Sequence, residues 1–170
     1  MSDQAALVAD IKAGKCVGAV LGDVDLSGCD LSGVDLTEAR LSGANLEGAN
    51  LSGATLRATM FDEANLRNAI LVGADLEFAV LGAADISGAN LSDANLQRSN
   101  LVGTKGHGAN FSGAKFYYSR PGNADFEGAN FSGADITRAI FRRANLKNAN
   151  LTNTTGDANF DRANLEGAQQ

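Results

Sequence analysis

The chain of 170 residues has no tryptophan, one proline, one histidine and two cysteines. Each scarcity excludes something. Cys16 and Cys29 have neither metal-ligand nor redox spacing, so they read as small buried apolar residues. His107 is the only histidine and lies in a glycine-rich stretch, Gly-Thr-Lys-Gly-His-Gly, with no carboxylate close in sequence. It therefore reads as a solvated residue, and the stretch lacks the spacing of a phosphate-binding loop. No apolar run approaches the ~20 residues that cross a bilayer. Met1–Lys15 carries acids and no basic leader, so a cytoplasmic location is expected. Bases are outnumbered 14 to 20, and a net charge of −6 argues against direct nucleic-acid binding.

What is abundant is a period of five. A large apolar residue returns at every fifth position from Leu21 to Leu151, giving 27 such centres. Of these, 25 are Leu, Ile or Phe, and the exceptions are Gly106 and Pro121. Two residues before each centre stands a small residue, Ala at 20 of the 27. Asn or Asp mostly lies between the two. Neither a helix, with 3.6 residues per turn, nor a strand, with two, repeats in five. Two inward residues in five mean a corner every five residues, and a strict internal period means a solenoid.

The position two after the centre sets the number of corners. Gly28, Gly48, Asn68 and Gly88 form one series, and Gly33, Gly53, Gly73 and Asp93 another. Glu38, Ala58, Phe78, Arg98, Tyr118 and Arg138 form a third that never contains Gly. A recurrence every 20 residues predicts four-sided coils stacked at ~4.8 Å. The same series predicts left-handed backbone at the first two corners and not at the third.

The sequence resembles the pentapeptide-repeat family, whose motif is A-[D/N]-L-x-x. It stands here as Ala44-Asn45-Leu46-Glu47-Gly48, Ala74-Asp75-Leu76 and Ala129-Asn130-Phe131-Ser132-Gly133. The resemblance spans residues 19 to 168. It implies an all-β solenoid, a right-handed quadrilateral parallel β-helix of about seven to eight coils.

Residues 1–18 are expected to form a cap: a short helix started by Ser2 or Asp3, stopped by Gly14, with Leu7 and Ile11 covering the first coil. Residues 19–170 form the β-helix. An irregular coil is expected around 104–123, with a bulged corner at Pro121. A one-residue register slip falls near 153–158, which moves the centres to Phe160 and Leu165. These two are candidate contacts for an end-to-end homodimer through the C-terminal coil.

No convergent set of catalytic groups, cofactor site or metal site emerges from the sequence. The expectation is a non-catalytic scaffold or protein-interaction module whose partners are proteins, without membrane contact. Two surfaces stand out. Phe78, Arg98, Tyr118 and Arg138, with Tyr117 beside them, form a candidate interaction stripe in which aromatic and guanidinium groups alternate up one corner. Asp25, Asp30, Asp35, Glu38, Asp62, Glu63, Asp75 and Glu77 form a candidate acidic surface: residues 19–95 hold 12 acids and three bases, whereas residues 96–157 hold eight bases and four acids. The resemblance implies an alternative role, since some family members act on DNA gyrase and other type II topoisomerases by imitating a DNA duplex. Against it stand the basic half and the lack of long inserted loops.

Overall fold

A computed structural model describes residues 3–170. Helix α1 runs from Asp3–Lys12 with Asp3 in its first turn, where a negative charge suits the helix dipole. Ser2, the other candidate cap, lies outside the described residues. The helix ends in a Schellman motif. Gly14 takes φ 71° and its N–H donates to the Ile11 carbonyl at 2.9 Å, while the Lys15 N–H donates to Asp10 at 3.1 Å. Ile11 is buried, and Leu7 and Val8 pack against the same core, so α1 covers the first coil. Lys12 Nζ reaches Asp30 at 3.2 Å and ties the cap to the coil beneath it.

Beyond the cap the chain has one motif. With one exception, Arg120–Ile140, parallel bridges join each residue before a centre to its counterpart 20 residues on, from Val20↔Arg40 to Asp135↔Thr155. The Leu46 N–H donates to Asn65 at 2.7 Å, the Asn65 N–H to Ala44 at 2.9 Å, and the Ala49 N–H closes the corner on Leu46 at 3.0 Å. The Asn or Asp before each centre has a local cause. Its carboxyl or amide oxygen accepts the backbone N–H two residues on, as Asn50 does from Ser52 at 3.1 Å, which makes an Asx turn into the corner. Asn amides also join coil to coil: Asn65 to Asn45, Asn110 to Asn90 and Asn130 to Asn110, each at 3.1 Å.

Two expectations are corrected. First, the corner without glycine is also left-handed. Glu38, Ala58, Phe78, Arg98, Tyr118 and Arg138 have φ of 52–62°. The 20-residue recurrence is real, but it separates corners by side chain and not by backbone. Second, the coil holding Gly106 and Pro121 has no bulge. Turns and bridges keep step through residues 104–123. The buried proline removes only the bond its own N–H would make, and the Arg120–Ile140 bridge is absent with it. Gly106, in the same coil, leaves no gap in the core. A Cβ there would stand 2.6 Å and 2.8 Å from atoms of the Phe126 ring, so the next coil's side chain fills the missing centre.

After Thr155 the bridge offset drops from 20 to 19, as in Ile140↔Asn159 and Asn145↔Asn164. One residue is lost from a single corner, and the stacking continues.

The interior is leucine and alanine toward the N-terminus and aromatic toward the C-terminus. Phe111 stacks on Phe131 at 4.8 Å, and Phe116, Phe126 and Phe141 surround them edge-on or tilted at 5.3–6.5 Å. Where Ser or Thr replaces the small alanine, its hydroxyl is satisfied by a carbonyl, as for Thr59 on Leu36, Thr104 on Leu81 and Ser99 on Leu96. Ser119 is the exception, since its buried Oγ has no partner among the described residues. Ser119→Ala is therefore expected to stabilise the protein by about 1 kcal/mol. Ser99→Ala is expected to cost about 1 kcal/mol. Urea unfolding midpoints check both.

Candidate interaction surfaces

The candidate stripe exists as two pairs. The Arg98 guanidinium sits 5.4 Å from the Phe78 ring centre, and Arg138 sits 5.2 Å from that of Tyr118. Arg138 also donates to the Tyr118 hydroxyl. Arg98 reaches sideways to Glu77 at 3.4 Å, and Tyr117 packs edge-on against Tyr118 at 4.6 Å. Phe78 and Tyr118 remain 46% and 42% exposed, so the column presents aromatic surface to solvent. Both hold left-handed backbone, φ 62° and 56°, which bulky residues rarely adopt.

The eight acidic residues do not form one surface. A step of five in sequence is a quarter turn in space, so Asp25, Asp30, Asp35 and Asp62 belong to four different sides. Many are already engaged. Asp75 and Glu77 take Arg57 at 3.1 Å and 2.5 Å. Asp30 accepts the Ser32 hydroxyl at 2.8 Å and its N–H at 3.2 Å, and with Lys12 beside it the carboxyl is held down to about 2. The hydroxyls and N–H groups of Ser27 and Thr37 lower Asp25 and Asp35 in the same way. These carboxyls are lowered in the folded state, so their contribution to stability is complete above the ordinary value of 3.8. It is lost as pH falls below that value, for Asp30 toward about 2. Melting temperature is expected to fall across that window, less steeply in Asp30→Asn, as thermal melts at stepped pH would show.

At the C-terminal coil, Phe160 stacks on Phe141 at 5.3 Å and is half-buried, as is Leu165. A recess of about 370 Å³ opens beside Phe160, between Leu151 and Gly156.

Two arrangements escaped the sequence reading. His107 has a partner after all, because its Nε2 lies 3.0 Å from Asp125 Oδ2, and Glu127 brings a third ligand atom within 4.8 Å. The residues are 18 and 20 apart. The same 18-residue step pairs Arg57 with Asp75 and Arg67 with Asp85, so the period that reveals the coil also predicts its ion pairs. His107, Asp125 and Glu127 offer a ligand set for a cation, half-open to solvent. The second arrangement is a recess of about 210 Å³ lined by Val102, Arg120, Gly122, Asn123, Ile140 and two further arginines, Arg142 and Arg143. It opens where Pro121 removes a ladder bond and Gly122 has no side chain. Among the described residues, no helix is long and apolar enough to cross a membrane.

A family model described as pentapeptide repeats matches the chain in eight copies, over residues 15–53, 49–88, 61–97, 84–119 and 122–155. No curated protein matches the chain in sequence. Among solved structures, HetL is similar. It is a pentapeptide-repeat protein involved in heterocyst differentiation regulation in the cyanobacterium Nostoc, 28% identical over 96% of this chain and 92% of its own, with a TM-score of 0.38. Full-length QnrB1, a plasmid-mediated fluoroquinolone resistance protein, is 22% identical over 91% and 85%, with a TM-score of 0.45. A pentapeptide-repeat protein of the Arabidopsis thaliana thylakoid lumen is 33% identical over 76% and 72%, with a TM-score of 0.26.

Proposed function

The chain belongs to the pentapeptide-repeat family, and from that premise we propose that it is a non-catalytic scaffold that presents fixed side-chain columns to a protein partner. The coil is right-handed, with seven to eight four-sided turns, and it works in the cytoplasm without cofactor, nucleic acid or membrane. One observation carries the reading. Phe78 and Tyr118 are exposed at left-handed corners that Gly or Asn would occupy at less cost. Such positions cost on the order of 1–2 kcal/mol for a bulky residue. The cation–π contact of each pair, worth roughly 0.5–1 kcal/mol when exposed, offsets only part of it. Aromatic and guanidinium groups held at that cost suit a binding stripe made of Phe78, Arg98, Tyr118 and Arg138 with Tyr117.

The second reading is a gyrase-directed protein that imitates a duplex, supported by the excess of acids over residues 19–95. One experiment separates the two. Purified bacterial gyrase is assayed for DNA supercoiling while the folded protein is titrated in, at low and at physiological salt. Inhibition that weakens with salt supports the duplex imitation. Unchanged supercoiling at both salts leaves the scaffold reading. That reading is in turn abandoned if Phe78→Gly/Tyr118→Gly, still folded, binds an identified partner as the parent does.

A further inference from the structure

One side of the coil breaks the repeat's own rule. On the other three sides the residue before the centre is nearly always Asn, Asp, Lys or Thr. On the side that starts at Val20 it reads Val20, Arg40, Met60, Val80, Asn100, Arg120 and Ile140. These residues are bridged in one column from Val20 through Arg120. Asx turns survive there only at Asn100 and, beyond the slip, at Asn159. The side has exchanged a local stabiliser for apolar surface. Val20, Met60, Val102 and Ile140 are 40–74% exposed, half of all the exposed large apolar residues described.

Its charges are also left open. Arg57, Arg67, Arg98 and His107, on other sides, all have carboxylates within 3.4 Å. On this side Asp23, Arg40, Asp62, Glu63, Arg120 and Arg143 have no ion-pair partner among the described residues, and Arg142 and Arg162, both with Asp161, are engaged. Past Arg40, acid (Asp62, Glu63) lies toward one end of the column and base (Arg120, Arg142, Arg143) toward the other.

That order is self-complementary. When two copies lie face to face and antiparallel, a twofold axis runs across the face. Each residue then meets the one equally far on the other side of the axis, at the same lateral position. With the axis at Val102, Val102 faces Val102. Two coils out, Met60 faces Ile140, Asp62 faces Arg142 and Glu63 faces Arg143. One coil out, Gly82 faces Gly122, which lets the faces close over the recess that Pro121 opens. Two coils out, apolar meets apolar and acid meets base, as an isologous contact requires, while one coil out Arg120 lies opposite Val80.

We propose that the face from Met60 to Ile140 is a homodimer interface in which two copies pack side by side and antiparallel about Val102. This rests neither on the Phe78–Arg138 stripe nor on the C-terminal coil. The five rows that face one another, from Met60 to Ile140, at ~4.8 Å and with a side roughly 10 Å wide, give about 240 Å² per copy. That is below the size of stable interfaces, so the dimer is weak. Open charge pairs make it salt-sensitive.

The test is sedimentation equilibrium of the full chain at low ionic strength. The parent is expected to pass from monomer to dimer as concentration rises, and salt is expected to reverse this. Asp62→Arg/Glu63→Arg and Arg142→Glu/Arg143→Glu are each expected to bind themselves at least tenfold more weakly. Their equimolar mixture should dimerise again, because every altered pair then meets its opposite. Val102→Arg, which sets charge against itself at the axis, is expected to be monomeric, and Phe160→Ala to dimerise as the parent does. Circular dichroism confirms that each variant is folded, and a variant that is not folded is replaced by Met60→Asp, expected to be monomeric too. A parent that stays monomeric throughout, or a mixture of charge variants that does not recover, overturns the proposal. So does a dimer broken by Phe160→Ala and untouched by the charge changes, which would place the contact end to end.

Discussion

Phe131→Ala is expected to destabilise the protein by about 3–5 kcal/mol, the usual cost of deleting a buried aromatic ring. Phe131 is fully buried and touches rings on every side: Phe111 stacked at 4.8 Å, and Phe116, Phe126 and Phe141 at 5.5–5.7 Å. Backbone bonds fix each coil to the next, so the walls have little freedom to close on the vacated space. In a stack where each coil meets only its neighbours, the loss falls on two interfaces. Urea unfolding should therefore show a lower midpoint, and the C-terminal coils should exchange amide hydrogens faster than those near α1. Leu46→Ala, in the leucine part of the core, is expected to cost less, about 2–4 kcal/mol. Equal losses at the two sites would argue against the aromatic cluster as the stiffest part of the core.

Gly106→Leu restores the repeat's own residue and is nevertheless expected to destabilise, by about 2–3 kcal/mol or more. The Phe126 ring occupies the space where the side chain would begin, and Ile86 approaches to 3.4 Å from the other side. The two positions share one volume, so Gly106→Leu combined with Phe126→Leu should recover much of the loss, a coupling that thermal melts of the two singles and the double would measure. A stabilising Gly106→Leu single would mean that the ring has another place to go.

The core was legible because its period is strict. Leu, Ile or Phe at 25 of 27 centres fixes which side chains point inward, and the glycine series fixes 20 residues per coil. The corner at Phe78, Arg98, Tyr118 and Arg138 was misread for a physical reason. Absence of glycine marks where another side chain is needed, and the closed coil imposes φ near 60° whatever residue stands there. Gly106 and Pro121 were misread because each was judged along the chain, whereas their surroundings come from the coil above. The same step across coils hid the His107–Asp125 pair. It also scattered acids that are close in sequence, such as Asp25, Asp30 and Asp35, onto different sides.

Because the ladder joins each residue to the one 20 positions on, while a side holds only five, an inserted or deleted pentapeptide leaves the interior's pattern unchanged and turns everything beyond it by 90°. Gain or loss of whole units during evolution would therefore act like the click of a combination lock. Each click lines up a different set of outward columns on an unaltered barrel, so a lineage could exchange one binding face for another without first passing through an unstable protein.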